Sequence, residues 1–280
     1  MTDPFRIRPM SLSDLQTAIG WAANEGWNPG TDDAEAFHDV DPDGFLMGWL
    51  DARPITAISV VRHSAEFGFL GFYLCDPTYR GKGYGWRTWE TGIAHLGTRT
   101  IGLDGVPAQQ QNYETSGFTF VHQTQRFAGH VTGRAHKGHS LATPDDLAEL
   151  IALDRTINKV DRGKYLANWF APAPTRHTLV HRVGGKIAAA GTIRACQQAH
   201  KIGPLFAPNR QMAEHMLEAL VDLAGATEIN IDMPDPNTAA AGIARDLGLE
   251  SAFSCARMYR GAVIERDLNR VFGEVTFELG

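Results

Sequence analysis

Residues 67–96 read FGFLGFYLCDPTYRGKGYGWRTWETGIAHL, and three kinds of local structure follow one another inside this stretch. Phe67 to Cys75 is a half-aromatic, half-aliphatic run with the length and composition of a buried strand. Asp76 to Tyr79 is a polar turn, and Arg80-Gly81-Lys82-Gly83-Tyr84-Gly85 extends it. Trp86, Trp89, Ile93 and Leu96 then recur at spacings of three and four residues, which places them on one face of a helix and predicts a core role for both tryptophans. A strand, a glycine-rich turn and a helix start, in that order, leave several backbone N–H groups without intrahelical partners. The helix dipole adds positive potential at the same place, so the turn is suited to an anion.

Two common phosphate motifs do not fit. A dinucleotide fingerprint needs Gly-x-Gly-x-x-Gly, but the glycines here are Gly81, Gly83 and Gly85, with Trp86 where the last should fall. A P-loop needs Ser or Thr after Gly-Lys, and Lys82 is followed by glycine. What remains is Arg80-x-x-Gly83-x-Gly85, three residues after Pro77. This pattern resembles the coenzyme A pyrophosphate loop of the GNAT superfamily of N-acetyltransferases. Glycines let the backbone approach the pyrophosphate, and Arg80 and Lys82 add charge. The resemblance implies acetyl-CoA as co-substrate, held by Leu74, Cys75, Arg80, Gly81, Lys82, Gly83, Tyr84 and Gly85. It also implies an α/β fold whose mixed sheet is split open at the strand before the loop.

Composition sets the frame for such an enzyme. The chain of 280 residues is 43% hydrophobic and 21% charged, as expected of a soluble globular protein with a sizeable core. A formal net charge of −6 without a Lys/Arg-rich run argues against nucleic-acid binding, so an anionic co-substrate needs the local charge of Arg80, Lys82 and Arg87. Cys75, Cys196 and Cys255 are far apart and form no Cys-x-x-Cys pair, which predicts free thiols in a reducing cytoplasm. No stretch approaches eighteen consecutive apolar residues, so neither a membrane span nor a membrane partner is expected. His136-x-x-His139 and His177-x-x-x-His181 lack the companions of a zinc site, and no metal is expected.

Outward from the opening stretch, Phe5 to Arg8 alternates as a short strand, and Ser11-x-x-Asp14 starts a helix carrying Leu12, Leu15, Ala18, Ile19 and Ala22 on one side. Trp27-Asn28-Pro29-Gly30 is a turn, and a helix capped by Thr31 is predicted from Thr31 to Val40. Strands are predicted at 45–50, 55–62 and 99–103, a short helix at about 107–115, and a last strand of this half from Gly117-Phe118 through Phe127. Gly129 to Gly138 loosens into a crossing between two units.

The second half repeats the plan: a helix after Thr143, strands at 178–183, 186–194 and 201–206, a helix carrying Met212, Met216, Leu220 and Leu223, a strand at 229–233, a helix at 237–247 and a strand at 252–259. Many GNAT proteins carry Asn-x-x-Ala-x-x-x-Tyr-x-x-x-Gly-Phe in the last helix. Asn237, Ala240 and Gly248-Leu249 match it with Ala244 in place of the tyrosine; Tyr113, Gly117 and Phe118 match it with Val106 in place of the asparagine. The chain thus looks like two tandem GNAT folds: residues 1–131 an active acetyl-CoA-binding domain, residues 132–280 a degenerate GNAT-like domain that walls the acceptor pocket. The second copy has Ala207-Pro208-Asn209-Arg210-Gln211-Met212-Ala213 after its central strand, without a glycine, so little coenzyme A affinity is expected there. Within the first half, the runs Glu25 to Gly30 and Leu103 to Val106 also look like an uncharacterised bacterial tandem-GNAT family.

The resemblance implies an N-acetyltransferase in which a small-molecule amine attacks the thioester directly. Deprotonating a lysine-like amine of pKa about 10.4 at pH 7 costs about 4.6 kcal/mol, which a base or a water chain must offset. A backbone N–H at Leu74 or Cys75 would meet the charge developing on the carbonyl oxygen. Tyr113 matches the position of the family's acid, and packing beside the cofactor is its plainer role. The strand 67–75 holds no carboxylate; of Glu66, Asp76 and Asp104 around it, Asp104 is the most central candidate base, with turn capping before Gly105 and water relay equally open. Trp27 and Asn28 lie in the connection that borders the acceptor in GNAT folds, where Trp27 contacts substrate or anchors the loop. Cys75 lacks a histidine partner, and its apolar strand raises its pKa, so it is not expected to be a nucleophile. A non-catalytic acyl-CoA-binding sensor is the alternative; it would keep the loop without needing Tyr113.

Overall fold

Ser11 opens the first helix as a capping box: its hydroxyl accepts from the Asp14 N–H while the Asp14 carboxylate accepts from the Ser11 N–H. That helix, α1 (Leu12–Asn24), buries Leu15, Ala18 and Ala22 and follows strand β1 (Phe5–Pro9). The computed structural model describes residues 4–280. The second helix, α2 (Asp33–His38), is shorter than the sequence predicts and is not capped by Thr31. The Thr31 hydroxyl instead bonds to the Thr175 hydroxyl, 2.8 Å away in the other half, so the predicted cap serves as a tie between halves.

Next come β2 (Phe45–Leu50), β3 (Arg53–Arg62), β4 (Phe67–Cys75), α3 (Tyr84–Leu96), β5 (Thr100–Gly105), α4 (Gln110–Thr115) and β6 (Thr119–His130). The second half contains β7 (His139–Leu141), α5 (Leu147–Asn158), α6 (Gly163–Phe170), β8 (Arg176–Val183), β9 (Lys186–Ala195), β10 (His200–Phe206), α7 (Arg210–Ala224), β11 (Glu228–Pro234), α8 (Thr238–Asp246), β12 (Glu250–Arg260) and β13 (Val271–Gly273). Both halves are mixed α/β, as the sequence predicts. Helix α6 and strands β7 and β13 are not evident from periodicity, because each is short and held by tertiary contacts: Tyr165, Leu166 and Trp169 of α6 bury themselves against Phe37 of α2.

The halves do not have separate sheets. One 13-stranded sheet runs β1-β2-β3-β4-β5-β12-β6-β11-β10-β9-β8-β7, with β13 paired to β10. Strand β6, which ends the first half, pairs with β12 and β11 rather than with β5. Strand β12 takes the place beside β5, with Arg257 opposite Asp104. The last strands of the two halves are therefore exchanged. One core joins Leu15, Phe37 and Phe72 of the first half to Trp169, Val180 and Val271 of the second.

Candidate active site

Strand β4 is parallel to β5 only from Phe67 to Leu70, opposite Thr100 to Leu103. From Gly71 onward it keeps β3 alone as a neighbour, and a register shift with Phe72 at φ 45° bends it away. A cavity of about 520 Å³ occupies the resulting split. The Asp76 N–H bonds to the Ile55 carbonyl of β3, so the alternation of an extended strand turns the Leu74 amide toward β3 and the Cys75 amide toward the split. The Cys75 carbonyl, on that same side, accepts from Arg80 Nε at 2.9 Å. Burial raises the Cys75 thiol pKa, against a nucleophilic role.

The glycine turn forms one wall. Gly81 and Gly83 have φ of 75° and 84°, which favour glycine, and Gly83 is the N-cap of α3 with no side-chain cap, so the first-turn amides stay available. Nothing lies within 4 Å of where a Cβ would stand on either glycine. The backbone is thus open to a phosphate. Arg80 lines the same wall and holds Glu25 at 2.5 Å. Among the described residues the lining omits Lys82 and Tyr84: Lys82 Nζ lies 5.2 Å from the Tyr79 ring centre, and Tyr84 packs on Phe5 at 4.9 Å. Trp89 is buried as predicted, but Trp86 is 55% exposed and lines the cavity, a correction to its expected core role. The helix face that carries it emerges from the core at the first turn, where the strand has already splayed away.

Tyr113 reaches the cavity from α4, stacked on Trp89 at 5.7 Å and 8% exposed. A Cβ on Gly105 would lie 2.4 Å from its ring, so the glycine makes room for the tyrosine. Burial, with the neighbouring Tyr73, holds the Tyr113 hydroxyl proton far more tightly than in water. Asp104 also lines the cavity, but both of its oxygens accept from Arg257 at 2.7 Å. Burial pushes its carboxyl up to about 6 against the pull of that guanidinium. Trp27 lines the cavity, its carbonyl held by Arg126 at 2.7 Å and Lys201 at 3.2 Å. Asn28 is outside the lining and exchanges two hydrogen bonds with the Gln198 backbone.

A split strand, an uncapped glycine turn and a tyrosine meeting in one cavity agree with what comparison with known proteins finds. Residues 12–118 match the acetyltransferase (GNAT) family model, and residues 150–273 match a second acetyltransferase (GNAT) domain model. A protein of Pseudoalteromonas sp. (strain SANK 73390) named holothin acyltransferase is 32% identical over 276 residues, covering 98% of this chain and 94% of that one. The chain belongs to the GNAT superfamily.

Its tandem GNAT architecture has solved counterparts. A Pyrococcus horikoshii protein assigned as an acetyltransferase has the same fold, with a TM-score of 0.83 at 20% identity over 100% of this chain and 97% of that one. A tandem GNAT protein from the clavulanic acid biosynthesis pathway superposes with a TM-score of 0.61 at 14% identity, covering 92% and 99%. In the second GNAT unit of this chain, β10 and β11 are parallel over His200 to Ile202, as β4 and β5 are in the first unit. There the split does not stay open: β13 pairs with Leu205 and Phe206 of β10. Helix α7 is also closed at its start, where the Asn209 side chain accepts from the Met212 N–H.

The chain continuing from β13 then crosses to the first split. Phe277 and Glu278 line the cavity, as do Phe253 and Cys255 of β12. The crossing is close: a Cβ on Gly71 would lie 2.1 Å from the Glu278 carbonyl oxygen. Ser59 donates to that oxygen at 3.4 Å, and Arg162 to the Gly280 carbonyl. These second-half residues escaped the sequence reading. The only local signal was the apolar alternation of Val271-x-x-x-Val275-x-Phe277-x-Leu279, which does not say where the segment docks.

Proposed function

We propose that the chain is an acetyl-CoA-dependent N-acetyltransferase whose acceptor is a small-molecule amine and whose reaction is direct attack on the thioester. The carrying observation is the single cavity where the open glycine turn, the split-side Cys75 amide and Tyr113 come together. In this reading the amides after Gly81 and Gly83 and the Arg80 side chain hold the pyrophosphate. The Cys75 N–H stabilises negative charge on the carbonyl oxygen, and the Tyr113 hydroxyl gives its proton to the departing sulfur. Trp27 belongs to the acceptor side. Residues 1–131 supply this machinery, and residues 132–280 wall the acceptor pocket. That second unit is degenerate as a coenzyme A site, because β13 fills its split. Support for a small acceptor comes from the volume of the cavity and from the relative whose name gives holothin as the compound it acts on.

Calorimetry with acetyl-CoA tests this reading. One site per chain is expected in the wild type, with binding at least about 100-fold weaker in Gly83→Glu, where a side chain at φ 84° strains the turn and brings a like charge to the pyrophosphate. Two sites per chain, or unchanged binding in the variant, would refute the placement.

A further inference from the structure

Three carboxylates line the cavity: Glu25, Asp104 and Glu278. Glu25 is paired with Arg80, and Asp104 is clamped by Arg257. Farther back, Asp232 is bound in the same bidentate way by Arg126, and Glu274 by Arg266. Glu278 is the exception. It is 3% exposed, yet among the described residues no hydrogen bond or ion pair to its carboxylate is found. A buried carboxylate without a partner is costly, and natural interiors keep one where a ligand completes it.

Its surroundings say which ligand. Trp27, Phe253 and Phe277 line the same cavity, so a ligand body held there meets aromatic surface. The charged groups that act most strongly on Glu278 are Lys201 of β10, Asp33 of α2, Arg194 of β9 and Arg126 of β6. Arg126 is committed to Asp232, Arg194 lies 3.3 Å from Asp33, and Lys201 donates to the Trp27 carbonyl. None of them forms a hydrogen bond or an ion pair with Glu278. An aromatic wall with one unpaired carboxylate favours a cation of modest size over a neutral or anionic group.

We propose that Glu278 is the catalytic base of the acyl transfer and the recognition group for its acceptor, a small primary ammonium compound with a flat or apolar body. This deepens the acyl-transfer reading above and rests on it. The carboxylate takes one proton from the ammonium and releases it to solvent. The freed nitrogen lone pair then attacks the carbonyl carbon; the C–N bond forms and the C–S bond breaks. The sulfur takes the Tyr113 proton, and the second proton leaving nitrogen restores it. Burial raises the Glu278 pKa above the usual carboxylate range, which brings it nearer that of the amine it deprotonates.

The test uses the full chain with coenzyme A present, and 2-phenylethylamine against its neutral analogue 2-phenylethanol. Wild type is expected to bind the amine at least about 10-fold more tightly than the alcohol. Glu278→Gln is expected to lose that preference, and Glu278→Asp to retain part of it. With acetyl-CoA, kcat/KM of the wild type rises with pH as Glu278 ionises; the Gln variant falls about 100-fold and loses that limb. Equal binding of amine and alcohol by wild type, which needs no variant to fold, would overturn the proposal. So would an unchanged pH profile in a Gln variant whose thermal unfolding matches wild type. Failure of acetyl-CoA to bind any form would instead refute the loop assignment, and calorimetry reads that separately.

Discussion

At the scale of single residues, Tyr113 and the glycines beside it are coupled choices. Gly105 has no side chain where the Tyr113 ring lies, and Gly83 has no side chain where a phosphate would approach. In the proposed reaction, removing the Tyr113 hydroxyl takes away the proton donor with little change of packing. Tyr113→Phe is expected to lower kcat about 100-fold while the dissociation constant for acetyl-CoA stays within a few-fold, measured by coenzyme A release and calorimetry. A kcat equal to wild type would remove Tyr113 from the reaction. This residue was legible in the sequence because its spacing before Gly117-Phe118 is local. Glu278 was not, because 174 residues separate it from Asp104 and only the folded chain brings both to one cavity.

Among elements, the turn before β2, strand β3 and helix α3 are fastened at Asp41. Its carboxylate accepts from the Arg62 N–H, Nε and Nη2 and bonds to His95 Nε2, all at 2.9 Å. These donors outweigh burial and hold Asp41 down to about 2. A depressed carboxylate stabilises the fold fully above its unfolded pKa, and the contribution fades as pH falls from about 4 toward 2. A shift of this size corresponds to about 2 kcal/mol. Unfolding free energies from urea titrations of wild type and Asp41→Asn are expected to differ by that much at pH 6 and to converge near pH 2; a constant difference would mean that lost packing, not charge, was responsible. Most elements were readable from their own residues, since strands such as β4 and helices such as α1 and α7 carry period and caps within a few positions. The short α2 and the unforeseen α6 were not. Their ends are set by contacts across the halves, Thr31 with Thr175 and Phe37 with Trp169.

For the whole molecule, element order along the chain correctly implied two GNAT units, but the pairing of β5 with β12 and of β6 with β11 lies beyond what order reveals. Local pattern predicts that a strand exists and is silent on its neighbour. Residues 1–131 made alone lack β12, which leaves β5 with an unpaired edge beside the cavity and β6 with neither neighbour. That fragment is expected to show no cooperative thermal transition and no acetyl-CoA binding, whereas the full chain unfolds in one calorimetric peak; a well-folded, ligand-binding fragment would contradict it. The same exchange bears on how the protein is made. On the ribosome the loop, the split strand and Tyr113 emerge well before the strand beside Asp104 and the segment that closes the cavity. A nascent chain thus waits, with its cavity unfinished, until translation has passed Glu278. On the proposed reading, products cut short before Glu278 are silent, and activity itself reports that translation passed it.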